Sequence, residues 1–178
     1  MCSSDLGTGQ HGAHFCEHVA GLRWQLSERP CGLEALRLSL KELGPSVAAM
    51  GAELLPALPL DVDALDHWPD QRYQAVFTAN TLHIMAAASI PNLLRGSAAV
   101  LAAGGLLLIY GPFQDGGRHS ADSNKAFDAQ LRALDPAMGV RDALQVIAWA
   151  DAVGLRLVGD QAMPANNRLL VFERQRLG

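Results

Sequence analysis

Apolar runs of strand length alternate with helical patterns along the chain. The runs at 75–77 and 106–109 are apolar at successive positions, which is typical of parallel strands buried on both faces. The alternation therefore predicts a doubly wound α/β fold. The predicted strands are Leu22 to Leu26, Leu54 to Leu60, Tyr73 to Ala79, Leu106 to Tyr110, Leu155 to Gly159 and Leu169 to Glu173.

Four helices are predicted between these strands, at Pro30 to Leu43, Pro91 to Ala102, Ser123 to Leu134 and Asp142 to Val153. The first carries a stripe of four leucines, with Pro30 suited to its first turn and Gly44 to its end. Ser123 and Asp142 are the expected N-caps of the last two helices. The longest region without predicted structure is 111–122, and such loops are often functional.

Composition narrows the class of protein. The 178 residues predict one domain over 1–178, with 1–6 an atypical start, and 49% are hydrophobic and 18% charged. The net charge of -4, without a basic run, argues against nucleic acid as a partner. No apolar run reaches the roughly 18 residues of a membrane span, and the start lacks a signal-peptide pattern. Three cysteines without C-x-x-C spacing favour the reducing cytoplasm.

A glycine turn and two acids form the first candidate site. Gly7-Thr8-Gly9-Gln10-His11 precedes a helical pattern, where glycines let the backbone approach a ligand and free N–H groups face it. In such a fold the first strand precedes the glycine turn. With that strand counted, Glu28 ends the second strand and Asp61 ends the third. There they can accept hydrogen bonds from ribose hydroxyls and an adenine amino group. A plain tight turn and two solvated loop charges are the structural alternative.

Polar residues also follow the next two strands. Asn80, Thr81 and His83 come after Tyr73 to Ala79, at the sheet edge where ligands bind, and His83 is a candidate base. Packing of His83 on the following helix is the alternative. In and after the 111–122 loop, Arg118 is a candidate anion clamp and Asp128 or Asp135 a candidate base; a solvated connection would contain the same residues.

Two further patterns have simpler interpretations. Met163-Pro164-Ala165-Asn166-Asn167 predicts a turn between the last two strands, which can also orient a substrate. His11, His14 and His18 share one helical face beside Glu17 and Cys16, a spacing that metal sites use. Because no fourth ligand is identifiable, no metal is predicted.

Taken together, these residues resemble class I S-adenosylmethionine (SAM)-dependent methyltransferases, and most closely a small methyltransferase-like family of unknown substrate, formerly a domain of unknown function. The resemblance covers Gly7 to Glu173. It rests on the glycine turn, Leu60-Asp61-Val62, Ala79-Asn80-Thr81-Leu82-His83-Ile84, Leu106 to Phe113 with Gly117-Arg118-His119, Ser123-Asn124 with Ala126-Phe127-Asp128, Gly139-Val140-Arg141-Asp142, and Met163-Pro164-Ala165-Asn166-Asn167.

The resemblance implies a Rossmann-like, mostly parallel seven-stranded sheet with an antiparallel last strand, and SAM across its carboxyl edge. The cofactor-binding residues predicted on this basis are Gly7, Thr8, Gly9, Glu28, Asp61, Val62 and Asn80. The acceptor is expected to be a small molecule. The resemblance does not imply which molecule this is, and it implies neither a proven catalytic base nor an oligomeric state. Family members enter the glycine turn from a hydrophobic strand, whereas 1–6 are polar here, so an incomplete first strand and a truncated start are expected.

Two other functions fit the same architecture. A catalytically inactive SAM-binding module is favoured by the altered start. A nicotinamide-dependent oxidoreductase is disfavoured because Tyr110 has no lysine four residues later, the pairing expected in short-chain dehydrogenases.

Overall fold

A computed structural model of the protein describes residues 10–176. The chain divides into two compact units at the His67–Trp68 bond. No helix in this described range is long and apolar enough to cross a membrane. The assignment of 1–178 to one domain stays a prediction.

Within residues 10–67, the first unit contains two parallel strands and two helices: α1 (Gln10–His18), β1 (Arg23–Glu28), α2 (Leu33–Ala49) and β2 (Glu53–Pro59). The strands pair from Arg23 opposite Glu53 to Glu28 opposite Pro59, with a shift of register between Gln25 and Ser27, and α2 connects them. Two small apolar clusters form its core, one around Val47 and one around Leu36. A single 3-10 turn, Leu65–His67, follows β2.

Helix α2 differs from its prediction at the end. It continues through Gly44 and Pro45 to Ala49, whereas Gly44 was expected to stop it. Val47, in the added turn, is 2% exposed and packs in the cluster with Cys16 and Ala52. Gly44 and Pro45 oppose this extension by roughly 1 and 3 kcal/mol, whereas the burial of Val47 and its packing in the cluster favour it.

The second unit is built on a four-stranded sheet in the order β3-β4-β9-β8. Strands β3 and β4 are parallel, and β9 runs antiparallel to both β4 and β8, as the resemblance implied for the last strand. Its elements are β3 (Tyr73–Ala79), α3 (Ile90–Val100), β4 (Leu101–Gly111), β5 (Phe113–Asp115), β6 (Arg118–His119), α4 (Asp122–Leu134), β7 (Arg141–Asp142), α5 (Ala143–Asp151), β8 (Leu155–Met163) and β9 (Asn167–Arg174), with 3-10 turns at Ala87–Ser89 and Pro164–Asn166.

The core of this unit lies on the central strands. Leu107 and Ile109 of β4 and Leu170 and Phe172 of β9 are at most 1% exposed. Their neighbours on the other face of β4 are only half-buried. The continuous apolar run therefore gives a strand with one fully buried face, rather than the two expected.

The helix ends of the second unit correct two predictions and confirm one. Helix α3 ends at Val100 because Leu101, fully buried, already begins β4. The N-cap of α4 is Ala121 and not Ser123, and no side chain caps that helix. Asp142 caps α5 as predicted, since its side chain accepts a hydrogen bond from Leu144 N.

The 111–122 segment, predicted to be without structure, contains a β-hairpin. Strands β5 and β6 pair antiparallel across Gly116 and Gly117, whose φ angles are 57° and 76°. Positive φ at both central residues is what a tight hairpin turn requires, and glycine adopts it without strain. Because β5 also pairs in parallel with β7, the hairpin forms a separate three-stranded sheet.

Candidate functional site

Both predicted acids of the first unit lie at one edge of the β1–β2 pair. Glu28 is the last residue of β1, and its carbonyl oxygen accepts a hydrogen bond from Leu60 N, one residue before Asp61. Arg29 Nη2 lies 3.8 Å from Asp61 Oδ2. Because the two strands are parallel, their carboxyl ends bring these acids to the same edge, as predicted.

The carboxylates retain capacity to bind a ligand. Glu28 Oε1 accepts from Arg29 N at 2.8 Å, whereas its other oxygen accepts no hydrogen bond from the described residues. Asp61 Oδ1 accepts from Asp63 N at 3.1 Å, and the Asp61 side chain is one-third exposed. Free carboxylate oxygens suit the hydroxyl and amino donors of an adenosine group. The predicted site residues Gly7, Thr8 and Gly9 lie outside the described residues.

In the second unit, polar residues gather where β3 and β4 end. Asn80 follows β3 with a φ of 55°, and its backbone N–H donates to Tyr110 O at 2.9 Å. A Cβ built on Gly111 would stand 3.7 Å from His83 Nδ1 and 3.8 Å from Asn80 Oδ1. Asn80 and His83 therefore adjoin the end of β4, as their position after β3 predicted.

His83 is buried and held neutral. It is 7% exposed, and its ring meets the Phe127 ring edge-on at 5.1 Å. Burial, and next the charge of Arg141, lower the pKa of His83 from 6.5 to about 4. A base of that strength accepts a proton poorly at neutral pH. The contact with Phe127 of α4 matches the packing alternative, and the catalytic role of His83 stays a prediction.

Arg141 organises the turn that contains His83, and the sequence analysis did not single it out. Its buried guanidinium donates to three backbone carbonyl oxygens, Leu82 at 2.9 Å, Met85 at 2.5 Å and Ala137 at 2.8 Å. Burial lowers the pKa of Arg141, with Arg132 adding to the effect. The segment Gly139-Val140-Arg141-Asp142 contributes to the family resemblance, but its spacing does not indicate the contacts of Arg141, because two of them are made with carbonyl groups distant in the sequence.

Asp128, a predicted candidate base, is engaged on both oxygens. Oδ1 accepts from Val140 N at 2.7 Å, and Oδ2 accepts from Arg132 Nε at 3.0 Å with His119 Nε2 3.6 Å away. Burial alone would raise the pKa of Asp128, but the hydrogen bonds from Arg132 and Val140 and the nearby positive charge outweigh it and lower that pKa. The carboxylate stays ionised and joins α4 to the segment before β7.

An amide network joins the hairpin, α4 and the turn between β8 and β9. Asn124, 6% exposed, donates to Ser120 Oγ at 2.9 Å and to Asn166 O at 3.0 Å. Asn167 Nδ2 donates to Tyr110 Oη at 3.0 Å, at the end of β4. The predicted turn at 163–167 is thus confirmed, and its asparagines lie beside the carboxyl end of a central strand.

Arg168 fixes the hairpin to the outer strands. It donates to Asp115 at 2.7 Å and to Asp160 at 3.0 Å, and it lies 5.9 Å above the Phe113 ring. The hydrogen bond to Asp160, with a smaller effect from Asp115, raises the pKa of Arg168. Loops that follow β4 are therefore held in place by charged contacts.

The remaining candidates are at the surface. Arg118 is exposed, and Asp135 Oδ1 accepts from Ala137 N at 2.8 Å, a contact typical of a turn residue. On α1, the ligand atoms of His14, Glu17 and His18 all lie within 4.8 Å of one another, on exposed side chains. The prediction that the chain uses no metal stays a prediction.

Comparison with known proteins assigns the family and the fold. The sequence profile of a family described as "Protein of unknown function (DUF938)" matches residues 4–174. This chain belongs to the DUF938 family.

Three solved structures show what its fold is similar to. An O-methyltransferase family protein from Burkholderia thailandensis has a TM-score of 0.76 at 16% identity, over 95% of this chain and 48% of that one. The mitomycin 7-O-methyltransferase MmcR has a TM-score of 0.76 at 24% identity, over 94% and 46%. PigF with SAH has a TM-score of 0.75 at 16% identity, over 94% and 48%. The chain thus spans about half the length of these proteins, and its fold is that of class I SAM-dependent methyltransferases.

In this DUF938 member, a pair of predicted site residues in each unit lies at the carboxyl ends of that unit's parallel strands. Glu28 and Asp61, with half-buried Val62 next in sequence, stand at the edge of the first unit. Asn80 and His83 stand at the corresponding edge of the β3–β4 pair. The roles of all predicted site residues stay predictions, including those of His83 and Asp128.

Proposed function

We propose that this DUF938 protein transfers a methyl group from SAM to a small-molecule acceptor. The observation that carries the proposal is the pair of carboxylates, Glu28 and Asp61, at the carboxyl edge of two parallel strands in a methyltransferase fold. Such carboxylates suit the ribose and adenine donors of SAM. The names of MmcR and of PigF with SAH describe those proteins and support the proposal by analogy.

The second unit suggests how the acceptor is used. When bound, SAM supplies an activated methyl group. His83 is neutral with a pKa of about 4, and both oxygens of Asp128 accept hydrogen bonds, so two of the three predicted bases are poorly suited to take a proton. The third, Asp135, is a surface residue whose Oδ1 accepts from Ala137 N. We therefore propose that the acceptor is already nucleophilic. Catalysis then depends on positioning the acceptor and on excluding water, and we propose that the loops after β3 and β4 take part in it.

The proposal also covers the cellular location and the partners of this protein. We place the protein in the cytoplasm, with a small-molecule substrate and with neither nucleic acid nor membrane as a partner. The inactive SAM-binding module remains the alternative, and it differs only in turnover. The nicotinamide-dependent oxidoreductase is the weaker alternative and differs in its cofactor.

Isothermal titration of SAM, SAH and NAD into the chain tests the cofactor. We expect SAM and SAH to bind and NAD not to bind. Asp61→Ala and Glu28→Ala should each weaken SAM binding about ten- to a hundredfold, since a hydrogen bond to a charged group contributes roughly 1.5–3 kcal/mol.

Glu53→Ala is the matched control. Glu53 is a carboxylate at the first residue of β2, at the end of the β1–β2 pair away from Glu28 and Asp61, and it pairs with Arg23 at 2.7 Å. Its loss should leave SAM affinity unchanged. A chain that is folded by circular dichroism yet binds neither SAM nor SAH would contradict the proposal, and tight NAD binding would favour the oxidoreductase.

A further inference from the structure

An open depression of about 550 Å³ lies beside the hairpin and the start of α4, lined by residues 117–122 and Lys125. Its volume falls within the range of small-molecule sites, roughly 300–1,000 Å³. The lining segment follows β4 and the short strand β5 in the chain, and open α/β sheets bind ligands beyond the carboxyl ends of their strands. The depression is therefore large enough for a small molecule and belongs to a segment that leaves the carboxyl end of β4.

The lining carries an excess of positive charge. Arg118 and Lys125 are exposed, and neither forms an ion pair with any residue that the structure describes. Asp122 is the single carboxylate among the lining residues. Ser120 Oγ already accepts a hydrogen bond from Asn124, so its hydroxyl hydrogen is free to be donated. One guanidinium, one ammonium and one hydroxyl donor form a set that recognises an anion.

The walls of the depression are fixed before any ligand binds. Gly117 N donates to Asp142 Oδ2 at 2.6 Å, which holds the hairpin next to Arg118. Asn124 bridges Ser120 and the carbonyl of Asn166, which holds the other wall. A preorganised site loses less conformational freedom on binding than a mobile one.

We propose that this depression binds the carboxylate or phosphate group of the methyl acceptor, which is therefore an anionic small molecule. The inference rests on the proposed function, and it names the substrate class of that activity.

Titration with inorganic phosphate and with succinate, followed by ¹H–¹⁵N spectra of the full chain, tests the site without SAM. We expect chemical-shift changes at the amides of residues 117–122 and Lys125. The anion that binds with the higher affinity shows whether the site prefers phosphate or carboxylate. Arg118→Gln and Lys125→Gln should each weaken binding about two- to fivefold, as expected for an exposed charge pair. Asp122→Asn should strengthen it, because a repelling carboxylate is removed.

Exposed cations elsewhere supply the controls. Arg95 of α3 and Lys41 of α2 lie outside the depression, and Arg95→Gln and Lys41→Gln should leave the titration unchanged. Shifts scattered over the surface, or equal affinities in all four glutamine variants, would overturn the inference.

SAM titration of the same variants separates this inference from the proposed function. Arg118→Gln and Lys125→Gln should keep the SAM affinity of the parent chain, since neither is a predicted cofactor residue. If SAM binds but phosphate and succinate do not, only the anionic acceptor is overturned. If neither SAM nor SAH binds to the parent chain, the methyltransferase proposal fails, and the acceptor assignment fails with it.

Discussion

At the scale of single residues, the turn between β8 and β9 contains backbone strain. Ala165 and Asn166 both have a φ of 58°, in the left-handed region. Asparagine tolerates that region, whereas an alanine there costs roughly 1–2 kcal/mol. Ala165→Gly should therefore raise the free energy of unfolding by about 0.5–1 kcal/mol, part of the relief being offset by the greater freedom of glycine in the unfolded chain. Urea denaturation followed by circular dichroism measures the change.

The control for Ala165→Gly lies in the neighbouring strand. Ala162 is an exposed residue of β8 without a positive φ, so Ala162→Gly should lower stability by about 0.5–1 kcal/mol. A loss of stability in both variants would mean that Ala165 is not strained. Strain of this kind often lies at binding sites, and this turn donates and accepts hydrogen bonds beside the end of β4.

At the scale of elements, Asp142 connects the hairpin to α5. Its Oδ1 accepts from Leu144 N at 2.9 Å as the helix cap, and its Oδ2 accepts from Gly117 N at 2.6 Å. Asp142→Ala removes both contacts and should lower the free energy of unfolding by about 1–2 kcal/mol. It should also accelerate hydrogen exchange at the Gly117 amide, because that N–H loses its acceptor.

Two comparisons show whether the effect comes from those contacts. Asp151→Ala removes an exposed carboxylate at the other end of α5 and should change neither quantity. Asp142→Asn keeps a side-chain oxygen suited to capping and should lose less stability than Asp142→Ala. Unchanged exchange at Gly117 in Asp142→Ala would show that the hairpin is held by other contacts, such as those of Arg168.

At the scale of the whole molecule, the order of strands and helices could be predicted from the sequence because it depends on local periodicity. Tyr73 to Ala79 was predicted at its observed bounds, and the alternation gave the α/β class. Helix α2 was predicted too short because the burial of Val47, which lies beyond Gly44 and Pro45, depends on partners far along the chain. The β5–β6 hairpin was missed although its Gly-Gly pair is a known turn signal.

The candidate site could be predicted in position but not in chemistry. Parallel strands bring their carboxyl ends to the same edge of a sheet, so topology alone could place Glu28 and Asp61 together in the first unit. The same argument places Asn80 and His83 beside the end of β4 in the second unit. The acid–base state of a side chain depends instead on its neighbours in space. His83 has a low pKa because it is buried close to Arg141, a contact that no spacing in the sequence indicates.

Burial of His83 makes the stability of the molecule depend on pH. Its pKa is about 4 when folded, against 6.5 ordinarily, so the unfolded state binds more protons between those values. Stability attributable to His83 is therefore complete above pH 6.5 and falls as the pH drops towards 4. At about 1.4 kcal/mol per pH unit, the loss amounts to roughly 2–3 kcal/mol. The lowered pKa of Asp128 acts in a different window, because its contribution is lost only below the ordinary range of an aspartate.

Urea denaturation at several pH values between 3 and 7 measures the slope of stability against pH. This slope, rather than absolute stability, is the quantity to compare. His83→Gln has no titrating ring and should flatten the curve between pH 4 and 6.5, while the fall below pH 4 from Asp128 persists. His14→Gln, at an exposed position on α1, should keep the parent slope. If His83→Gln and the parent chain lose stability in parallel, the proton uptake belongs to another group. Burial beside Arg141 would then not keep His83 neutral, and His83 would no longer be a weak base.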